Sequence, residues 1–145
     1  MPRGYRFVDH TADVEYIATG PTMERAVGNA FLGLFATLSD ISKVSKLKSV
    51  TKNIRIKDSA GTMEDLLWYS LQDALSIADS EGVFPFQLSS LKITESSGKF
   101  SLAAILMCKK QEQKYGNFDV KGISRYDLSA KEGAKGYSIS VVVDV

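Results

Sequence analysis

Asp9-His10-Thr11-Ala12-Asp13 gathers two carboxylates, a hydroxyl and the only histidine of the chain into five residues. At the far end the sequence reaches Asp144 and then Val145. In an extended strand the Asp144 side chain stands beside the terminal carboxylate of Val145, and two adjacent anions repel unless a cation or hydrogen-bond donors lie close. A meeting of Asp13 with Asp144 would create an all-oxygen pocket suited to a hard divalent cation such as Ca²⁺, Mg²⁺ or Mn²⁺. Spacing alone leaves plainer readings open. Asp144 can be a solvated strand end, Thr11 and Asp13 can cap turns, and His10 can satisfy a hydrogen bond in the core. Lys121 falls on the more polar side of a strand-like stretch with Asp119, Ile123 and Arg125, where a lysine is ordinarily solvated.

Other chemistries lack their residues. Cys108 is the only cysteine, so an intramolecular disulfide and a Cys/His zinc site are both excluded. It lies inside an apolar strand, and there is no G-x-S-x-G elbow or second histidine from which to build a triad. Gly116, Gly133 and Gly136 form neither a P-loop nor a dinucleotide fingerprint. An enzyme built on this chain would have to be a carboxylate-metal hydrolase acting on a phosphorylated substrate.

Two segments have the period of a helix and can position these residues. Met23, Ala26, Val27, Ala30, Phe31, Leu34, Phe35 and Leu38 form one apolar stripe, with Thr22 as N-cap and Glu24 in the first turn. Gly28 and Gly33 lower its intrinsic propensity by about 1 kcal/mol each, which points to close approach against a sheet. Met63, Leu66, Leu67, Leu71, Ala74, Leu75 and Ala78 form the second stripe, opened by Thr62 and stopped at Gly82. The remaining pattern predicts strands at 5–8, 14–19, 50–57, 86–95, 99–109, 117–128 and 137–145, with a hairpin turn at Ser96-Ser97-Gly98. Residues 100–108 are apolar at both parities, which predicts a central strand covered on both faces or part of a closed sheet. The expected fold is a single α+β domain over residues 1–145, two layers in the order ββ-α-β-α-ββββ, with two helices packed on a mostly antiparallel sheet.

Composition agrees with one folded domain. The chain has 145 residues, 44% of them hydrophobic and 10% aromatic, with a formal net charge of +1, the reverse of a disordered polymer. Near-neutrality argues against autonomous, generic nucleic-acid binding. It also averages two blocks: Lys43, Lys46, Lys48, Lys52, Arg55 and Lys57 run without an acid, and Asp58, Glu64, Asp65, Asp73, Asp79 and Glu81 follow without a base. The longest apolar run, residues 102–108, is far short of the about 20 residues that span a bilayer, and the start of the chain has no signal-like apolar region. A reducing, cytoplasmic setting without a membrane is expected.

The combined pattern resembles the archease family. The residues that carry the resemblance are Asp9-His10-Thr11-Ala12-Asp13-Val14, Thr22-Met23-Glu24-Arg25-Ala26, Glu64-Asp65-Leu66-Leu67, Val120-Lys121-Gly122-Ile123-Ser124 and Val141-Val142-Val143-Asp144-Val145. It implies an activator of the RtcB-type RNA ligase that joins tRNA exon halves, promoting its guanylylation and multiple turnover, and not itself an enzyme. A chaperone-like role towards a tRNA methyltransferase is the family's other implied function. The implied metal residues are Asp13, Asp144 and Val145, with Lys121, His10 and Asp73 as functional or partner-binding residues and RNA touched indirectly or only within the complex. The chain departs from the family pattern at Glu15, at Ser124-Arg125-Tyr126 and at Asp73, which stands where a glutamate is usual.

Overall fold

The structure, a computed structural model, describes residues 4–8 and 13–145. Strands β1 (Tyr5–Val8) and β2 (Val14–Gly20) lead into helix α1 (Met23–Leu38) and a short helix α2 (Ile41–Ser45). Strand β3 (Lys52–Ala60), helix α3 (Met63–Glu81) and the long hairpin β4 (Val83–Ser96) and β5 (Lys99–Lys110) follow. A 3₁₀ turn (Gln113–Tyr115) precedes β6 (Gly122–Ile123), β7 (Ser129–Gly133) and β8 (Gly136–Asp144). Every strand pairing is antiparallel, so the chain is an α+β protein. Among the described residues no helix is long and apolar enough to cross a membrane.

The helix ends follow the caps read from the sequence. The Thr22 hydroxyl accepts from Arg25 N at 3.1 Å and the Thr62 hydroxyl from Asp65 N at 3.1 Å, each satisfying an amide that has no partner within its helix. Gly82 closes α3 in the left-handed conformation, with φ of 63°. Gly33 is where α1 meets the sheet. A Cβ there would run into the ring of Tyr16, whose hydroxyl donates to the Ala30 carbonyl at 2.6 Å. Gly28 has only ordinary contact with Leu91, so one of the two glycines is required by packing.

The strands divide into two sheets rather than one. In the first, β8 lies between β2 on one side and both β6 and β7 on the other, with β1 outside β2. In the second, β5 lies between β3 and β4. Helix α1 packs against β2, β4 and β8, while α3 packs against β3, β4, β5 and the edge strands β6 and β7, and these contacts join the sheets around one core. Along β5, Leu102, Ala104, Leu106 and Cys108 are buried, whereas Ala103, Ile105 and Met107 are only partly covered. The expectation of full cover on both faces is therefore corrected: the second face is only partly covered from Ala103 to Met107, and closes at Lys109, which is buried and donates to Ser49 O at 2.6 Å.

Three other departures have local causes. Val50 is 87% exposed and outside β3, which instead continues to Ala60. Asp40 caps the unforeseen α2 by accepting from Lys43 N at 3.3 Å. The predicted strand at 117–128 is also corrected, since only Gly122–Ile123 pairs as strand within it. Asn117 N donates to Leu38 O, Phe118 N to Thr37 O and the Asn117 side chain to Ala36 O, at 2.9, 3.2 and 2.9 Å. The last carbonyls of α1 lack partners within the helix, and this segment supplies donors to them instead of joining a sheet.

Candidate functional site

The site grows from the end of β8. Ile139, Val141 and Val143 are fully buried β-branched residues that hold this strand in the core and set its register. Val14 on β2 pairs with Val143, and one position beyond that pair stand Asp13 and Asp144. On the other side Gly122 of β6 pairs with Asp144, and Lys121 N donates to Asp144 O at 2.7 Å. The structure thus brings Asp13, Asp144, Val145 and Lys121 to one end of three adjacent strands. Asp13 and Val145 are half-buried and Asp144 is exposed.

Helix α3 positions the short strand β6. Gln72 accepts from Ile123 N at 2.7 Å, and Trp68 donates its indole N–H to Ile123 O at 2.8 Å, so both outward-facing polar groups of this buried residue are satisfied by one helix. One turn nearer the start of α3, Arg125 holds Asp65 through both Nε and Nη2, at 2.8 and 2.7 Å. Both side chains are well exposed, which limits this ion pair to about 1 kcal/mol. The sequence pattern gives Trp68, Gln72 and Arg125 no contact. An indole between leucines on a helix is a usable signal, because its N–H needs an acceptor when covered.

Lys121 borders a groove of about 800 Å³ between α3 and the segment 111–121. Gln72, Ser76, Asp79, Gln111 and Asp119 line it with Leu75, Phe84 and Phe118, whereas Asp13 and Asp144 do not. The predicted residues therefore fall in two adjoining places: Asp13 and Asp144 at the strand end, and Lys121 on the border of a polar groove.

Hard oxygen donors are what Asp13 and Asp144 offer, which fits Ca²⁺, Mg²⁺ or Mn²⁺ and not a thiolate or imidazole metal. Among the described residues no three His, Cys, Asp or Glu side chains cluster as a metal shell, so a cation held here also requires an oxygen of Val145, main-chain carbonyls or water. His10 lies outside the described residues. Asp73 is placed elsewhere, against Asp58 of β3. Glu15 pairs with Val142, two positions from Asp13 on the same side of β2. Burial pushes the Cys108 thiol up to about 11, which keeps it protonated and poorly nucleophilic at neutral pH.

A model of the archease protein family (MTH1598/TM1083) matches residues 5–145. Protein archease of Methanosarcina mazei is 27% identical over 143 residues, covering 97% of this chain and 95% of the relative. That of Aeropyrum pernix is 29% identical over 146 residues, covering 98% and 97%. The solution structure of protein 1598 of Methanobacterium thermoautotrophicum has the same fold, with a TM-score of 0.81 at 22% identity over 99% of this chain and 100% of the other. The crystal structure of a Thermotoga maritima archease, described as a possible chaperone, gives a TM-score of 0.60 at 17% identity over 95% and 94%. With a family match that runs from β1 through β8 and includes the Asp13, Lys121 and Asp144 positions, the chain belongs to the archease protein family.

Proposed function

We propose that this archease is a non-enzymatic accessory protein that activates an RtcB-type tRNA-splicing RNA ligase, promoting its guanylylation and repeated turnover. The observation that carries the reading is the convergence of Asp13, Asp144 and Lys121 at one end of β2, β8 and β6. Asp13 and Asp144, with an oxygen of Val145, would hold a divalent cation. Bound there, the ion would neutralise the paired carboxylates and leave coordination positions for a phosphate oxygen. Lys121 presents an ammonium to the neighbouring groove, where it can meet a phosphate or carboxylate of the partner. Activation requires that this end of the domain bind the guanylylation-competent state of the ligase more tightly than its other states.

Ligase turnover measured with wild-type, Asp13→Ala and Asp144→Ala proteins, each verified as folded, tests the proposal. Loss of stimulation in both variants, with loss of divalent-ion binding by calorimetry, is the expected result. Full stimulation by both overturns the metal-pocket reading.

A chaperone-like role towards a tRNA methyltransferase is a second reading, favoured by the description of the Thermotoga maritima protein as a possible chaperone. Pull-down from a cytosolic extract separates the two, since the first requires the ligase and the second the methyltransferase.

A further inference from the structure

The open face of the three-stranded sheet is the one opposite Leu102, Ala104 and Leu106, which face the core. The register arranges it in rows across β3, β5 and β4. Arg55, Ile105 and Ser90 form one row, and Lys57, Ala103 and Lys92 the next. Ser59, Ser101 and Thr94 form the row after that. Arg55, Lys57 and Lys92 are exposed, and no carboxylate lies within 4.0 Å of their charged groups among the described residues. The one acid within β3, Asp58, belongs to the opposite face, where it meets Asp73 of α3. The far end of the open face forms a shallow depression of about 600 Å³ floored by Ala103 and Ser101, with Lys57 and Lys92 on its sides and Asp58 at its border.

We propose that this face binds the phosphodiester backbone of single-stranded RNA, with Arg55, Lys57 and Lys92 as phosphate contacts and the hydroxyls of Ser59, Ser101 and Thr94 as donors beside them. The small floor is the first reason: Ala103 between two lysines lets a phosphate sit low between ammonium groups on either side. Strand spacing is the second, because Arg55 and Lys57 project about 6.7 Å apart along β3 while Lys57 and Lys92 lie two strand spacings, about 9.6 Å, apart. A strand of phosphates can follow such a track. An amphipathic acidic helix suits it poorly. The apolar row of Ala103, Ile105 and Met107 is one strand wide, about 4.8 Å from the basic rows, whereas a helix with its side chains is about 10 Å across. An extended acidic peptide would favour a sheet edge, where main-chain hydrogen bonds are available, over a sheet face.

The face carries no aromatic residue for stacking bases, so recognition is by backbone charge, independent of sequence and dependent on salt. Three phosphate contacts give a slope of log K against log salt of about −2 for a single strand. That is weak for a free domain, consistent with its near-neutral charge, and becomes effective when a larger RNA-handling partner holds the strand nearby. The inference takes its setting from the accessory reading, but its test uses the archease alone, so either can fail without the other.

Titration of the isotope-labelled full-length protein with a decauridylate at low ionic strength, followed by NMR and fluorescence anisotropy, tests it. Shifts are expected on β3, β5 and β4 at residues of the open face, with a salt slope near −2. Lys57→Ala/Lys92→Ala should reduce that slope to about −0.7 while Lys131→Ala/Lys135→Ala leaves it unchanged, and Lys57→Arg/Lys92→Arg should restore binding. No shifts, shifts confined to other surfaces, or equal losses from both lysine-to-alanine pairs would overturn the proposal. So would a poly-glutamate peptide that binds the same face as tightly as the RNA, which would reassign the surface to an acidic protein segment.

Discussion

The carboxyl of Asp58, on β3, lies beside that of Asp73, on α3, and burial together with this neighbouring acid pushes the Asp58 pKa up to about 7 from an ordinary value near 3.8. Burial is the main cause, the neighbouring Asp73 adds to it, and the nearby Ser70 hydroxyl offsets a part. Between about pH 4 and pH 7 the unfolded chain has released a proton that the folded chain retains, so folding stability falls as pH rises through this window and levels off above it. Asp58→Asn should flatten the decline and raise Tm at pH 8. Solvent screening holds the effect to about 1 kcal/mol, a few degrees in Tm. A thermal-melt series from pH 4.5 to 8 checks the slope, with exposed Asp79→Asn as a control that leaves it unchanged.

Gln72→Ala leaves the Ile123 amide without its acceptor, and Trp68→Phe leaves the Ile123 carbonyl without its donor. Each should cost about 1–3 kcal/mol in global stability, the ordinary penalty for an unsatisfied buried polar group. Hydrogen exchange gives a sharper readout. The Ile123 amide should exchange faster in Gln72→Ala, and the Lys121 amide bonded to Asp144 should follow if β6 loosens as a unit.

Gly33→Ala places a methyl group into the Tyr16 ring, which is fully buried and pinned by its bond to Ala30. The gain of about 1 kcal/mol in helix propensity cannot offset this overpacking, and a net loss of about 1–3 kcal/mol is expected in chemical denaturation. Gly28→Ala, facing Leu91 at ordinary contact distance, should be neutral or stabilising. The sign difference between two glycines of one helix is the diagnostic result.

Cys108 should resist thiol reagents in the native protein. Its side chain is fully buried, and with a thiol pushed up to about 11 only about one part in a thousand is thiolate at pH 8. Labelling should therefore track unfolding, rising steeply across the denaturant transition. Rapid labelling without denaturant would show that β5 opens locally.

Much of this architecture was legible because its determinants are local. Thr22 and Thr62 announce their helices by what they do within one turn, and the alternating β8 residues announce a buried strand. The approach of Asp13 to Asp144 was legible only as a possibility, since pairing of β2 with β8 depends on residues distant in sequence. The stretch 117–128 misled because Phe118 and Val120 alternate as a strand does, while the force that placed the segment, the unpaired carbonyls at the end of α1, lies in another element. The open face of β5 was hidden for a related reason: Ala103, Ile105 and Met107 are apolar, and a local pattern does not reveal whether anything covers them. Arg125 gave no sign of Asp65 as its partner, because a long flexible side chain reaches across elements that no sequence window contains.

The central place of β8 in its sheet governs when the domain can be completed during synthesis. Strands β1 and β2 precede the rest of the domain in sequence, yet the neighbour that closes the free edge of β2 is β8, which follows every other strand of the domain. Until then β2 presents unpaired amides and carbonyls beside the apolar Tyr16 and Ala18, a surface that invites pairing with other nascent chains. Helix α1 and the β4–β5 hairpin form from nearer contacts and can be in place beforehand, but the first sheet waits on loop closure across nearly the whole chain. The same late event brings Asp144 beside Asp13 and Lys121, so the candidate site comes into being only when folding is finished.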